Sequence, residues 1–163
     1  MGNLDSVVFH IEALLKKLLV ALMAIIVVGV TWQVFSRYVL QSPSSTTEEA
    51  ARFVLIWISL FGAAYAYQLG SHLGLDVVVN KLSERGKLLA ATLSHSLVVG
   101  FAIFVMVYGG ISLVDLTMTP VQTSAALGLK MGYVYFAVPI AGAIIALFGI
   151  NKVRHLITQI KSL

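Results

Sequence analysis

The chain has 163 residues, of which 59% are hydrophobic and only 11% charged, with a net charge of +4 and a mean hydropathy of +0.95. A soluble domain of this size carries about 25% charged residues to cover its wetted surface, so much of this surface must face lipid. The absence of cysteine excludes disulfides, thiolate metal sites and thiol redox chemistry within the chain. The basic residues flank apolar segments and form no single patch, which argues against nucleic acid.

In chain order, Leu4, Val7, Val8, Ile11, Leu14 and Leu18 recur at helical spacing, with Asp5, Glu12 and Lys16 elsewhere around the turn. This pattern predicts an amphipathic helix over residues 3–17 lying along the bilayer surface. A helix needs about 20 apolar residues to cross a hydrocarbon core about 30 Å thick, and residues 18–38 meet that length. The stretch follows Lys16 and Lys17 but is too long for a signal h-region and has no small-residue cleavage site, so it reads as a retained first span. The run Ser45-Thr46-Thr47-Glu48-Glu49 reads twice as a capping box, Ser45 with Glu48 and Thr46 with Glu49. It opens a second, short span over residues 53–69.

His72 and Asp76 follow, and Leu75, Val78, Val79 and Leu82 repeat the interfacial pattern. The third span, 88–114, is longer than the bilayer requires and predicts a tilt. The fourth, 131–150, contains Pro139, which a membrane helix tolerates as a kink when neighbours satisfy the freed carbonyl. Val153, Leu156, Ile157 and Ile160 make an amphipathic cytoplasmic tail over 151–163. The whole chain, 1–163, reads as one all-α membrane domain of four transmembrane helices with short interfacial helices. Eight Lys and Arg residues (16, 17, 81, 85, 87, 152, 154 and 161) flank one side of the spans and three (Arg37, Arg52, Lys130) the other. Positive flanks stay inside, so both termini are expected in the cytoplasm.

Ionisable residues inside a membrane are costly, about 2.5–3.5 kcal/mol at a helix centre, and so need explaining. No Asp or Glu lies mid-span, whereas a small ion-coupled carrier working alone needs a buried carboxylate. The densest polar group is Gln33, Arg37, Glu48, Glu49 and Arg52 at the periplasmic ends of the first two spans. These residues either cap and anchor the helices or reach a partner subunit, and Glu48 and Arg52 are correctly ordered for an i,i+4 pair. His72 and Asp76, four apart, have the spacing of a metal or proton pair, but two ligands make no site; anchoring or capping is the plainer reading. His95 has no second histidine at matching depth for haem, so an interhelical hydrogen bond is expected of it. Small residues mark faces for close helix approach: Ser59, Gly62, Ala63, Ala66 and Gly70 on the second span, and Ala137, Ala141, Gly142 and Ala146 on the fourth.

The order of Gln33-Val34-Phe35-Ser36-Arg37-Tyr38, Ser42-Pro43, Glu48-Glu49-Ala50-Ala51-Arg52 and Gly70-Ser71-His72-Leu73-Gly74-Leu75-Asp76 continues after the third helix. There it runs through Thr119-Pro120, Ala125-Ala126-Leu127-Gly128 and Met131-Gly132-Tyr133-Val134-Tyr135 to Pro139. This sequence of motifs resembles the small, DctQ-like membrane subunit of tripartite ATP-independent periplasmic (TRAP) transporters, across about residues 18–150. The family often has a Trp where this chain has Thr46. The resemblance implies a scaffold subunit of the bacterial inner membrane that is not an enzyme and holds no cofactor. Sodium coupling and the substrate site are then expected in a large partner subunit, and a periplasmic binding protein delivers a C4-dicarboxylate or a sialic acid. Competing readings are a stand-alone four-helix carrier acting as a homo-oligomer, and a membrane oxidoreductase. The first lacks a mid-depth coupling residue, and the second lacks cysteines and a histidine pair.

Overall fold

The computed structural model describes residues 3–70 and 83–161. Four of its helical segments are long and apolar enough to cross a bilayer, and the fold is all-α. Helix α1 (Asn3–Tyr38) has 36 residues and is therefore about 54 Å long, well beyond the hydrocarbon thickness. Residues 3–17 are thus not a separate surface helix: they run without a break into the first span. Only part of this segment is turned to protein: Val8 and Leu15 are buried in one cluster with Phe61, Tyr67 and Phe148, and Ile11 packs against it, while Val7, Leu14 and Leu18 of the predicted stripe stay exposed. Helical periodicity reports that a face is covered, but a lipid surface and a neighbouring helix satisfy it equally.

Helix α2 (Ser45–Gln68) contains the second span, whose apolar stretch starts at Phe53 after a polar first two turns. The third is built from α3 (Glu84–Phe101), a π-helical stretch (Ala102–Gly109) and α4 (Gly110–Met118). The fourth consists of α5 (Met131–Tyr135) and α6 (Ala137–Lys161). The break at Phe136 stands three residues before Pro139, which has no N–H to return to the carbonyl four residues back. Backbone bonds from Phe136 to Gly132 (3.0 Å) and from Ile140 to Phe136 (3.3 Å) carry the chain across it. Residues 151–161, expected as an interfacial tail, are the last turns of α6. The interfacial segment predicted around Leu75–Leu82 lies outside the described residues.

Helix α6 is the hub. It packs on α2 along one side and on α3 and the π-helical stretch along the other, while α1 packs mainly on α2. Among the described residues the backbone of α1 approaches neither α3, the π stretch nor α4, so the spans stand in the spatial order first, second, fourth, third. This is an open row, not a closed four-helix bundle. Half of the fourth span's most apolar stretch is buried and none of the first's. The accessible area is 10417 Å², against about 7,900 Å² for a compact monomer of this mass.

The close contacts of the hub depend on absent side chains. A Cβ on Gly142 would stand 2.5 Å from Met106 Cβ and 3.1 Å from the Ala102 carbonyl oxygen, and one on Gly110 would stand 2.8 Å from Pro139 Cδ. Ala137, Ala141 and Ala146 are buried beside them. The small residues of the fourth span are therefore used within the chain. Those of α2 are not: Ser59, Ala63, Ala66 and Gly70 are exposed, and nothing lies within 4 Å of a Cβ built on Gly62.

Candidate functional site

The polar residues singled out from the sequence gather at the end of the row opposite the termini. Helix α1 closes with Ser42 N–H donating to the Ser36 carbonyl (3.0 Å), and Gln41 adopts a left-handed φ of 53°. The chain then re-enters helix at Ser44, an extended residue whose Oγ accepts from Thr47 N–H at 3.4 Å. The cap is thus one residue earlier than the predicted Ser45 and Thr46. Thr47 occupies the third helical position, and its own hydroxyl donates to the Ser44 carbonyl (3.1 Å). Glu48 and Glu49 fall at the fourth and fifth helical positions, one and two residues past the position that reaches back to the cap, so neither closes a capping box.

Both glutamates are free for longer reach. Glu48 stands between two arginines, 3.6 Å from Arg37 Nη2 and 3.7 Å from Arg52 Nη2. All three side chains are about half exposed or more, so each pair contributes less than about 1 kcal/mol. Gln33 Nε2 donates to the Thr47 carbonyl (2.9 Å) and ties the end of α1 to the start of α2.

Glu49 does something its position in the sequence does not announce. Its Oε2 accepts from the backbone N–H groups of Ala126 (2.9 Å) and Leu127 (2.8 Å), across 77 and 78 residues. The carboxylate lies in the first turns of α2, before the apolar span at 53–69. Desolvation raises its pKa, but hydrogen bonds from the Leu127 and Ala126 backbone, the Ser124 side chain and the Ala125 backbone outweigh this and hold it below the ordinary 4.5. The loop it grips is itself ordered. Ser124 N–H donates to the Leu129 carbonyl (2.8 Å), Leu129 N–H returns to Ser124 Oγ (3.2 Å), and Gly128 takes a φ of 65°. Ala125-Ala126-Leu127-Gly128 carried the only sequence signal for this clasp, and only as a motif without a partner.

A second polar node lies at the end bearing the termini. Tyr67 OH and His95 Nδ1 are 3.0 Å apart, joining the second and third spans as expected for a lone intramembrane histidine. Lys152 Nζ donates to the Tyr67 carbonyl (2.7 Å) at the C-terminus of α2, which also accepts from Gly70 N–H (3.2 Å), and stands 4.9 Å from the centre of the Tyr67 ring. Gln68 Nε2 donates to Glu12 Oε2 (3.1 Å). Asp5 holds Arg154 (2.9 Å) and His155 (2.8 Å), pinning the start of α1 to the last turns of α6. His72 and Asp76 lie outside the described residues. Among the described residues, no three His, Asp or Glu side chains converge on a common point.

The clefts are open and apolar. One of about 320 Å³ lies where α1, α2 and the start of α5 meet, lined by Leu22, Phe53, Val54, Trp57, Leu129, Tyr133 and Val134. No charged side chain lines it, so it offers an organic anion no counter-charge.

Residues 26–159 match the family described as "Tripartite ATP-independent periplasmic transporters, DctQ component". The chain belongs to this family. It is similar to the sialic acid TRAP transporter small permease protein SiaQ of Vibrio cholerae, 28% identical with 94% of this chain and 85% of the relative covered. Similarity extends to the ectoine TRAP transporter small permease protein TeaB of Halomonas elongata, 28% identical with 100% and 79% covered. It extends also to the isethionate TRAP transporter permease protein DctMQ of Oleidesulfovibrio alaskensis, 29% identical over 86% of this chain but only 22% of that much longer protein. With its four apolar spans, the chain is a multi-pass inner-membrane TRAP small permease subunit, and not an enzyme.

Proposed function

We propose that this TRAP small subunit is the stationary wall of a sodium-driven importer and does not itself move substrate. A large membrane subunit carries the substrate and sodium sites, and a periplasmic binding protein delivers an organic acid to the pair. The observation that carries this reading is the open row. Its first and third spans do not meet, so the helices enclose no path of their own. The accessible area exceeds that of a compact monomer by about 2,500 Å², comparable with what one partner contributes to a large obligate interface. The exposed α2 face of Ser59, Ala63 and Ala66 permits close approach by a partner helix. The long DctMQ relative, in which a region like this chain is a small part of one polypeptide, supports a fixed association.

Relatives named for sialic acid and isethionate support an organic acid substrate, and one named for ectoine widens the class. The eight-to-three bias of Lys and Arg supports an orientation with both termini in the cytoplasm and the Arg37–Glu49 rim in the periplasm. Within the assembly, Arg37, Glu48, Glu49 and Arg52 stabilise the periplasmic end.

The chain should co-purify with a much larger membrane protein, and liposomes holding only this subunit should take up nothing. Sodium-dependent uptake by the subunit alone would overturn the reading. Reporter fusions in the Ser42–Thr47 loop test the sidedness, and a cytoplasmic signal there would reverse it.

A further inference from the structure

Glu49 is committed to the loop at Ala126 and Leu127, so the rim has two guanidinium groups and a single carboxylate between them. Arg37 and Arg52 approach opposite oxygens of Glu48 at 3.6 and 3.7 Å, beyond hydrogen-bond length. Among the described residues neither guanidinium donates a hydrogen bond, although each has five N–H groups in a planar fork suited to phosphate. Both stand within 4 Å of one carboxylate, and are thus close enough to share one tetrahedral anion. The N-terminal end of α2, with its partial positive charge, begins four residues before Glu48 at Ser44.

The level of this cluster along the spans is equally specific. Arg37 is in the last turn of α1, and Arg52 immediately precedes the apolar stretch that starts at Phe53. Trp32 and Tyr38, 48% and 74% exposed, sit on α1 within a turn or so of Arg37. Aromatic side chains of this kind collect where acyl chains give way to headgroups. A net positive, donor-rich, acceptor-poor pair at headgroup depth fits one chemistry in particular.

We propose that Arg37 and Arg52 together bind the phosphodiester of a phospholipid headgroup in the leaflet where α1 ends, with Glu48 competing for the same guanidinium groups. The site does not depend on which substrate is carried.

Native mass spectrometry of the full chain, purified in mild detergent with the membrane subunit that accompanies it, reads this directly. After delipidation the complex is offered phosphatidylglycerol, the diacylglycerol with the same acyl chains, or inorganic phosphate. Phosphatidylglycerol should be retained and the diacylglycerol should not. Arg37→Ala and Arg52→Ala should each lower retention about fivefold, and the double variant about 25-fold. Glu48→Gln should raise retention, an effect that a damaged fold would not produce. Equal retention of diacylglycerol, an unchanged lipid count in the double variant, or a fall with Glu48→Gln would each overturn the proposal. Displacement of the lipid by an equal concentration of inorganic phosphate would do so as well, by showing a free-anion site. Arginine variants that shed the large subunit while keeping the lipid would make the cluster a protein contact instead.

Discussion

Substituting Gly142 by Ala tests the contact that joins the third and fourth spans. The added Cβ would stand 2.5 Å from Met106 Cβ, 3.1 Å from the Ala102 carbonyl oxygen and 3.2 Å from the Met106 carbonyl carbon. These are backbone atoms or the first side-chain atom, so no rotamer change relieves the clash. Helix α6 and the π-helical stretch must separate by about 1 Å to restore an ordinary carbon contact of about 3.5–4.0 Å. Overpacking of this kind costs about 1–3 kcal/mol, while replacing a mid-helix Gly by Ala gains about 0.5–1 kcal/mol. Gly62→Ala is the matched control: nothing lies within 4 Å of its Cβ, so only the gain applies. The two variants should therefore differ by about 1–3 kcal/mol, the size of the clash alone. Thermal unfolding of the isolated subunit in detergent, followed by the fluorescence of Trp32 and Trp57, measures the difference. At about 2–4 °C per kcal/mol for a chain of this size, Gly142→Ala should melt below Gly62→Ala by roughly 2–12 °C. A Gly142→Ala variant that melts at or above the control would refute the close packing of the hub.

Glu49→Ala should release the Ala126 and Leu127 amides, and hydrogen exchange at both should rise towards that of open loop while the amide of Gly86 is unaffected. The same clasp has a pH signature. A carboxyl whose pKa is lowered by folding contributes stability that is complete above its unfolded value and is lost as pH falls through the folded one. Protection at the two amides should therefore be unchanged from pH 7 to pH 5, and disappear only below the ordinary value of 4.5. Lys152→Met keeps the apolar stem but removes one of the two hydrogen bonds to the Tyr67 carbonyl, the other coming from Gly70 N–H (3.2 Å), at a cost of about 0.5–1.5 kcal/mol, read as a lower Tm. Asp5→Asn should loosen residues 3–10 towards exchange at a cost of less than about 1 kcal/mol, and raised salt should mimic it in the unmodified protein.

Part of the site could be read from the chain and part could not, and the division has physical causes. The Glu48–Arg52 pair lies four residues apart on one helix, so its contact follows from helical geometry alone. The Arg37–Glu48 contact needs the intervening turn, yet the six residues, 39–44, between α1 and α2 keep the two helix ends near one another. Glu49 and the loop at 124–127 are separated by two whole spans, and the acceptors' partners are backbone amides that no side-chain pattern reveals. The Lys152–Tyr67 contact was invisible for the same reason. Lys152 reads as one more cation at a membrane flank, and only the packing of α6 on α2 aims it at a carbonyl.

The sequence alone determined that the chain has four segments long and apolar enough to cross a membrane, and that the third carries a single histidine. Hydropathy over 20 residues is a local sum, and lipid judges each segment separately. Tertiary structure decided what each apolar face is turned towards. It placed Val8, Ile11 and Leu15 against protein while Val7 and Leu14 stayed exposed, used the small residues of the fourth span inside the chain, and left those of α2 uncovered. It also set the spans side by side in an open row. In lipid, helices gain little from hydrophobicity when they associate, so their order depends on contacts such as Gly142 against Met106 and Gly110 against Pro139. Those contacts exist only once both helices are in place.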